Sequence, residues 1–514
     1  MNAPFETRRI TNGFTLLACF ALIKLAIHLI TNIWGGYGIF RDELYYVACS
    51  NHLDIGYVDQ PPLSLYVLAL IRFLLGDSIF ALRLVPAIAG ACTVFLTGLI
   101  ARELGGKTWA QTLACTASIA SLINLAYDSV YNMNAIDLVF WAWAAFIAVR
   151  LMKTGDKKYW LQLGITLGLG ALNKINMLWF GGGIFLGLLL TSYRMWFRTR
   201  WPWIAGLIVF LLFLPYIVWN FRHDFAHLEF IRNATLGKYA GLSPITFAIG
   251  QFFLQNLVTL PLWLSGLYFL LIFKEGRQFA PLGIVYLVSF AILVLNGHSK
   301  SEYLAPAYAM LFAGGGVGVE RWFEVRFRMI RPLYLFILWA GLLLAPLTLP
   351  ILPVETYINY SEALGVKPST AEAKELDKLP QYYADMFGWE DKAAAVAKVY
   401  HRLSPEEQKT CALFGDNYGR SGAIDYYSGK YHLPPAIGRH NNYWIWGPRD
   451  YTGELVIILG GNLQDKQQRF ESVEIADTVT SAYCMPYENN LRIYLCRKLN
   501  VPLRDFWPEI KVFE

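Results

Sequence analysis

Apolar runs about 20 residues long recur through the first 350 positions, and that recurrence constrains this chain more than any other feature. The first covers 14–34. Others follow at 80–100, 109–126, 136–152, 159–173, 177–193, 202–219, 249–272, 279–296, 304–319 and 332–350, giving about eleven expected crossings. In lipid every backbone polar group must be satisfied internally, so runs of this length imply membrane-spanning helices. Only 16% of the residues are charged, against about 25% in soluble domains. The expected fold is a polytopic α-helical membrane protein over 1–353. After Pro353 the long apolar runs stop. Short strands are expected at 411–415, 454–460 and 492–496, with helical stretches between them and over 370–403, broken at Pro380 and Gly388, so 354–514 reads as a small soluble α/β domain.

Lys and Arg are distributed unevenly between alternate loops. Arg8 and Arg9, Arg102 and Lys107, Arg150 to Lys158, Arg194 to Arg200, Lys274 and Arg277, and Arg321 to Arg331 fall on one side. The positive-inside rule makes that side cytoplasmic. The N-terminus is then cytoplasmic, and the loop 35–79 and the C-terminal domain are extracytoplasmic. The formal charge of +6 is too small to argue for nucleic acid. Lysines and arginines on the outer side oppose the topological bias, which makes them better functional candidates than the inner ones.

The outer loops carry polar clusters that a mere connection does not need. The first, RDELYY followed by DIGYVDQPPL, places Asp42, Glu43, Asp54 and Asp59 among Tyr45, Tyr46 and Tyr57. An interfacial aromatic belt accounts for the tyrosines but not for the carboxylates. Asp59, just before Pro61 and Pro62, also fits a helix cap. A second cluster holds Asn134 and Asp137, a third Lys174, and a fourth His298, Lys300 and Tyr303. Ionisable groups at membrane depth usually face a cavity or a partner. A carboxylate can take a proton from an acceptor hydroxyl while cations neutralise a departing phosphate.

These segments carry a resemblance. RDELYY, then D-x-G-Y-x-D-x-P-P-L, then MNAID before an FWA-bearing span, N-K-I-N-M-L and K-x-x-Y-L-A-P stand in order over about 10–320. Together they resemble glycosyltransferase family 39, the protein O-mannosyltransferase and aminoarabinose transferase family, with its C-type membrane fold. The resemblance implies transfer of one sugar, with inversion, from a polyprenyl-phosphate donor to a glycan, lipid or protein acceptor on the outer face of a bacterial inner membrane. It places the general base on Asp42 with Glu43 beside it. Donor phosphate contacts fall on Lys174, Lys300 and Tyr303. Tyr45, Tyr46, Asp54, Tyr57, Asp59, Asn134, Asp137 and His298 remain candidates for binding substrate. Relatives often carry Asp at the position of Asn134, so the second acidic role passes to Asp137 or is lost. The carboxylates do not demand a divalent cation but are compatible with one, so the metal requirement stays open.

Some features stay outside that reading. Cys484 and Cys496 bracket a hairpin on the oxidising side, where a disulfide is one option. No C-x-x-C pair suggests zinc. The alternative function is a transporter or flippase, but neither an internal repeat nor mid-span charge supports it.

Overall fold

The computed structural model describes residues 3–239, 241–323, 329–372 and 374–514, the first ten by their backbone alone; Arg326 and Arg328 lie outside them. Among the described residues six helices are long and apolar enough to cross a bilayer: Gly13–Trp34, Ile79–Glu103, Met133–Thr154, Trp201–Arg222, Arg277–Leu295 and Ile330–Leu347. A further crossing is broken. Pro244–Leu254 and Leu257–Leu271 meet at 84° around Asn256, whose φ is 69° and whose amide donates to Ala120 O and Gly341 O. The run expected over 109–126 also breaks, at Ser121, which caps the following turn and bonds Gln255 Oε1 at 2.8 Å. Hydropathy does not register such breaks, because side chains from neighbouring helices satisfy the freed backbone. Against about eleven expected spans, the described residues hold six helices of spanning length and one bent pair, beside shorter helices such as Lys157–Asn173, Met177–Leu189 and Tyr308–Trp322.

The loop 35–79 is itself mostly helical. Helix α1 (Ala3–Trp34) leads into α2 (Arg41–Asn51), α3 (Leu63–Leu75) and α4 (Ile79–Glu103). All of α2 but Asp42 and Asn51 is buried, despite its polar first turn. Acidic residues are favoured there by the helix dipole, and Glu43 accepts from Phe40 N at 2.9 Å, closing the N-terminus.

The C-terminal part folds around one five-stranded sheet. Strands β1 (Cys411–Gly415), β2 (Ile437–Gly438), β3 (Leu455–Leu459), β4 (Phe470–Val479) and β5 (Leu491–Leu499) lie in the order β2-β1-β3-β5-β4. The β1 pairings are parallel and the β5 pairings antiparallel. β4 is a strand that the sequence reading missed. It occupies the sheet edge with much of one face in water, so its charge hides the apolar alternation. The stretch expected to be helical before Pro380 has no helix among its described residues from 366 to 380. All seven cysteines are free, so the Cys484–Cys496 option is not realised. Cys496 sits mid-strand in β5 between Val456 and Val473, and Cys484 lies in the preceding turn and bonds Ser481 O.

The two parts meet on α2. Helix Tyr418–Tyr426 follows β1 and lies against α2, a contact that depends on two glycines three residues apart. A Cβ on Gly419 would stand 2.8 Å from Arg41 Cγ, and one on Gly422 would stand 3.0 Å from Leu44 Cβ. Gly422→Leu is expected to force the helices apart and destabilise the protein by roughly 1–3 kcal/mol. Gly429→Ala, facing open space, should leave the melting temperature of the detergent-solubilised protein unchanged.

Candidate active site

Asp42 and Glu43 are neighbours in sequence and have opposite environments. Glu43 is fully buried, and its carboxylate is saturated. Arg83 of α4 grips it with two bonds, Nε to Oε1 at 3.0 Å and Nη2 to Oε2 at 2.8 Å. Tyr131 N adds a bond at 2.8 Å and Phe40 N one at 2.9 Å. A carboxylate so engaged has no oxygen free to take a proton. Asp42 is 38% exposed, and its Oδ1 accepts from the Tyr418 hydroxyl at 2.8 Å.

Arg41 organises the charges around Asp42. Its guanidinium lies 3.7 Å from Asp42, 3.4 Å from Glu372 and 3.6 Å from Asp385, and bonds the Tyr487 hydroxyl at 2.7 Å. Glu372 also draws Lys238 to 3.1 Å and Lys300 to 3.8 Å. Burial works against the Glu372 carboxylate, but Arg41, Lys238 and Lys300 outweigh it and hold the group well below the usual range. Burial likewise opposes the Lys300 ammonium, yet Tyr239, Glu302, Glu372 and Asp42 keep it above its ordinary value. Burial pushes Asp385 up to about 7, with Arg41 pulling the other way. A cavity of about 210 Å³ opens on this cluster, with Arg41, Lys238, Lys374, Tyr418 and His440 in its wall.

A second polar group lies at the break between Lys157–Asn173 and Met177–Leu189. Lys174 donates to Asn134 Oδ1 at 2.6 Å, stands 3.9 Å from Asp137, and lies 5.2 Å from the centre of the Tyr303 ring. Asn176 supports Asp137 through a 2.7 Å bond. Asp137 is thus the buried acid at this position, with Asn134 presenting a neutral oxygen to the lysine.

The remaining candidates divide. Tyr45 has its hydroxyl 3.0 Å from both Asp59 and Asn442, and Asp59 interacts electrostatically with Asp42 and Lys238. These two border the same cluster. Tyr46 accepts from Met133 N and packs edge-on to Tyr131. Asp54 bonds Trp219 Nε1 at 2.8 Å, and Tyr57 accepts from Asp54 N and donates to His52 O. Asp54 and Tyr57 therefore shape the turn after α2. His298 bonds Leu242 O in a loop. Among the described residues no group of three His, Cys, Asp or Glu is placed to hold a metal ion.

Several participants are not among the sequence candidates. Arg83 lies inside an apolar run, and Glu372 and Asp385 fall in stretches read only for helix. Tyr418 and Asn442 do lie in the Tyr-, Asn- and Trp-rich segment 416–448, whose composition was the available signal.

The model for dolichyl-phosphate-mannose-protein mannosyltransferases matches residues 59–219. An undecaprenyl phosphate-alpha-4-amino-4-deoxy-L-arabinose arabinosyl transferase of Pseudomonas aeruginosa is 26% identical over 59% of this chain and 58% of its own length. The lipid A galacturonosyltransferase RgtD of Rhizobium johnstonii is 30% identical over 36% of this chain and 39% of its own. The chain thus spans less than two thirds of the length of these curated relatives. ArnT from Cupriavidus metallidurans, in a crystal structure bound to undecaprenyl phosphate, superposes with a TM-score of 0.62 at 11% identity, covering 94% of this chain and 97% of that one. Its apo structure gives 0.61 at 11% identity, over 95% and 98% of the two chains. The fold is therefore that of ArnT, a C-type membrane glycosyltransferase fold, and the resemblance to family 39 read from the sequence is borne out.

Burial pushes the Asp59 carboxyl up to about 7, and the Tyr45 hydroxyl only partly offsets it. The folded protein then binds a proton that the unfolded chain has released, so this group lowers stability progressively as pH rises from about 4 to about 7. Asp59→Asn should raise the melting temperature at pH 8 by the equivalent of at least about 1 kcal/mol. That gain should vanish at pH 4, as thermal melts at the two pH values will test.

Proposed function

We propose that this protein transfers a monosaccharide from a polyprenyl-phosphate-linked donor to an acceptor on the non-cytoplasmic face of the membrane. The observation that carries the reading is a half-exposed carboxylate, Asp42, beside a cation-lined cavity in a fold shared with a protein crystallised with undecaprenyl phosphate. The relatives named above act on sugars or lipids of this class, which supports the same donor type here.

In the proposed step an acceptor oxygen attacks the anomeric carbon and forms the new glycosidic bond. The bond from that carbon to the phosphate oxygen breaks, and its electron pair leaves with the polyprenyl phosphate. Asp42 takes the acceptor's proton and later releases it to water. Direct displacement from the opposite face inverts the anomeric centre and needs no covalent glycosyl-enzyme, by analogy with inverting hydrolysis.

The cations have matching tasks. Lys174 and Lys300, with Tyr303 beside Lys174, neutralise the charge that grows on the departing phosphate. Arg41 and Lys238 extend that field toward Asp42. Glu43 has no part in proton transfer; its pairing with Arg83 fixes the turn from which Asp42 projects. Asp59 and Tyr45 border the charge cluster around Asp42, where a sugar hydroxyl would meet them.

Asp42→Asn should insert and fold normally but lose at least about a hundredfold in turnover, the scale on which general bases contribute. The assay uses membranes supplied with a polyprenyl-phosphate sugar, and full activity would remove Asp42 from the role. Lys174→Ala should raise the donor KM about tenfold, equivalent to about 1.4 kcal/mol of lost binding. An unchanged donor KM takes Lys174 out of the phosphate site.

A further inference from the structure

Asp42 adjoins two residues of the cavity wall, Arg41 and Tyr418, and the second of these comes from far along the sequence. Tyr418 opens the helix Tyr418–Tyr426, and its hydroxyl donates to Asp42 Oδ1 at 2.8 Å across 376 positions. The same oxygen faces Arg41 Nε at 3.7 Å. Among the described residues Oδ2 has no such partner. The two oxygens of the carboxylate are therefore not equivalent.

Tyr418 is itself fixed. Its ring is 8% exposed and stands 5.0 Å from the Tyr45 ring and 4.9 Å from His440, with the Arg41 guanidinium 5.5 Å from its centre. Gly419 and Gly422 allow its helix to lie directly on α2. Burial holds the phenol well above its ordinary range; Asp42 and Glu372 add to this and Arg41 opposes it. The hydroxyl thus keeps its proton and serves as a donor to the carboxylate.

A carboxylate rotates about its terminal bond in a broad, roughly two-fold well, so a half-exposed Asp has no preferred orientation of its own. We propose that Tyr418 is a positioning residue for the reaction. It pins Oδ1 and leaves the unbonded Oδ2 as the atom that receives the acceptor's proton. The sheet-bearing C-terminal region is then part of the catalytic apparatus, where a sequence reading makes it at most a binding appendage. The inference rests on Asp42 being the base. A small misplacement of a catalytic group costs a large factor in rate without changing how the donor binds.

Tyr418→Phe tests this, because it removes the hydroxyl and keeps the ring in its packing. Turnover per folded enzyme should fall about tenfold or more, with the donor KM within about twofold of wild type and the melting temperature unchanged. Leu413→Ala, in the core of β1 and away from the cavity, is the control for stability. It should lower the melting temperature while leaving turnover per folded molecule unaltered. Wild-type turnover in Tyr418→Phe overturns the proposal. So does a loss that only follows the folded fraction, as in Leu413→Ala, or a raised donor KM at constant kcat. Asp42→Asn measured alongside separates the two levels. If it retains turnover, the base assignment fails and takes this inference with it. If it is inactive while Tyr418→Phe is fully active, only the role of Tyr418 falls.

Discussion

Glu43 carries a charge into a place that water does not reach, and the surrounding elements are arranged to satisfy it. Removing one partner from a buried ion pair costs about 3–5 kcal/mol, because the remaining charge is left uncompensated. Arg83 from α4, the backbone at Tyr131 and the backbone at Phe40 all converge on this carboxylate. Moving any of these elements breaks a charge-assisted bond, so the turn at 40–43 is held rigidly. Asp42, one residue away, inherits that rigidity while keeping access to solvent. One helical turn thus provides an anchored acid and the proposed base.

The same loop is tied down from beneath and from above. Beneath it, Lys24 of α1 meets Asp128 at 2.9 Å with both side chains buried, fixing the segment that presents Tyr131. Above it, Asn442 accepts from Val58 N at 2.9 Å and shares the Tyr45 hydroxyl with Asp59. The cations of the site are balanced rather than bare. Glu372 neutralises Arg41, Lys238 and Lys300 at the point where they converge. A phosphate entering there would meet preorganised positive charge that requires little rearrangement, the situation in which electrostatic stabilisation contributes most.

Much of this was legible in the sequence. The apolar runs marked the membrane helices, and RDELYY marked the turn that holds Asp42. Lys174 with Asp137, and Lys300, stood out because lysines at such depth need partners. What escaped depends on contacts between distant positions. Glu372 and Asp385 lie in stretches whose local composition argues only for helix, and nothing local pairs them with Arg41. Tyr418 lies in an aromatic-rich segment, but its hydrogen bond to Asp42 arises only when two glycines bring two helices together. The breaks at Ser121 and Asn256 are invisible to hydropathy because the groups that meet there are distant in sequence: Ser121 bonds Gln255, and the Asn256 amide satisfies the carbonyls of Ala120 and Gly341. The division between Asp42 and Glu43 is likewise tertiary, since Arg83 and the Tyr131 amide, both distant in sequence, engage Glu43 and not Asp42.

The central claim is that this protein moves one sugar from a polyprenyl phosphate to an outer-face acceptor. Mass spectrometry of the lipids and extracytoplasmic glycans of cells with and without the functional gene tests it most directly. Loss of the protein should leave a polyprenyl-phosphate monosaccharide to accumulate, while one outer-face glycan, lipid or protein lacks a single sugar residue. Identical lipid-linked sugar pools and identical outer-face molecules in the two strains would contradict it.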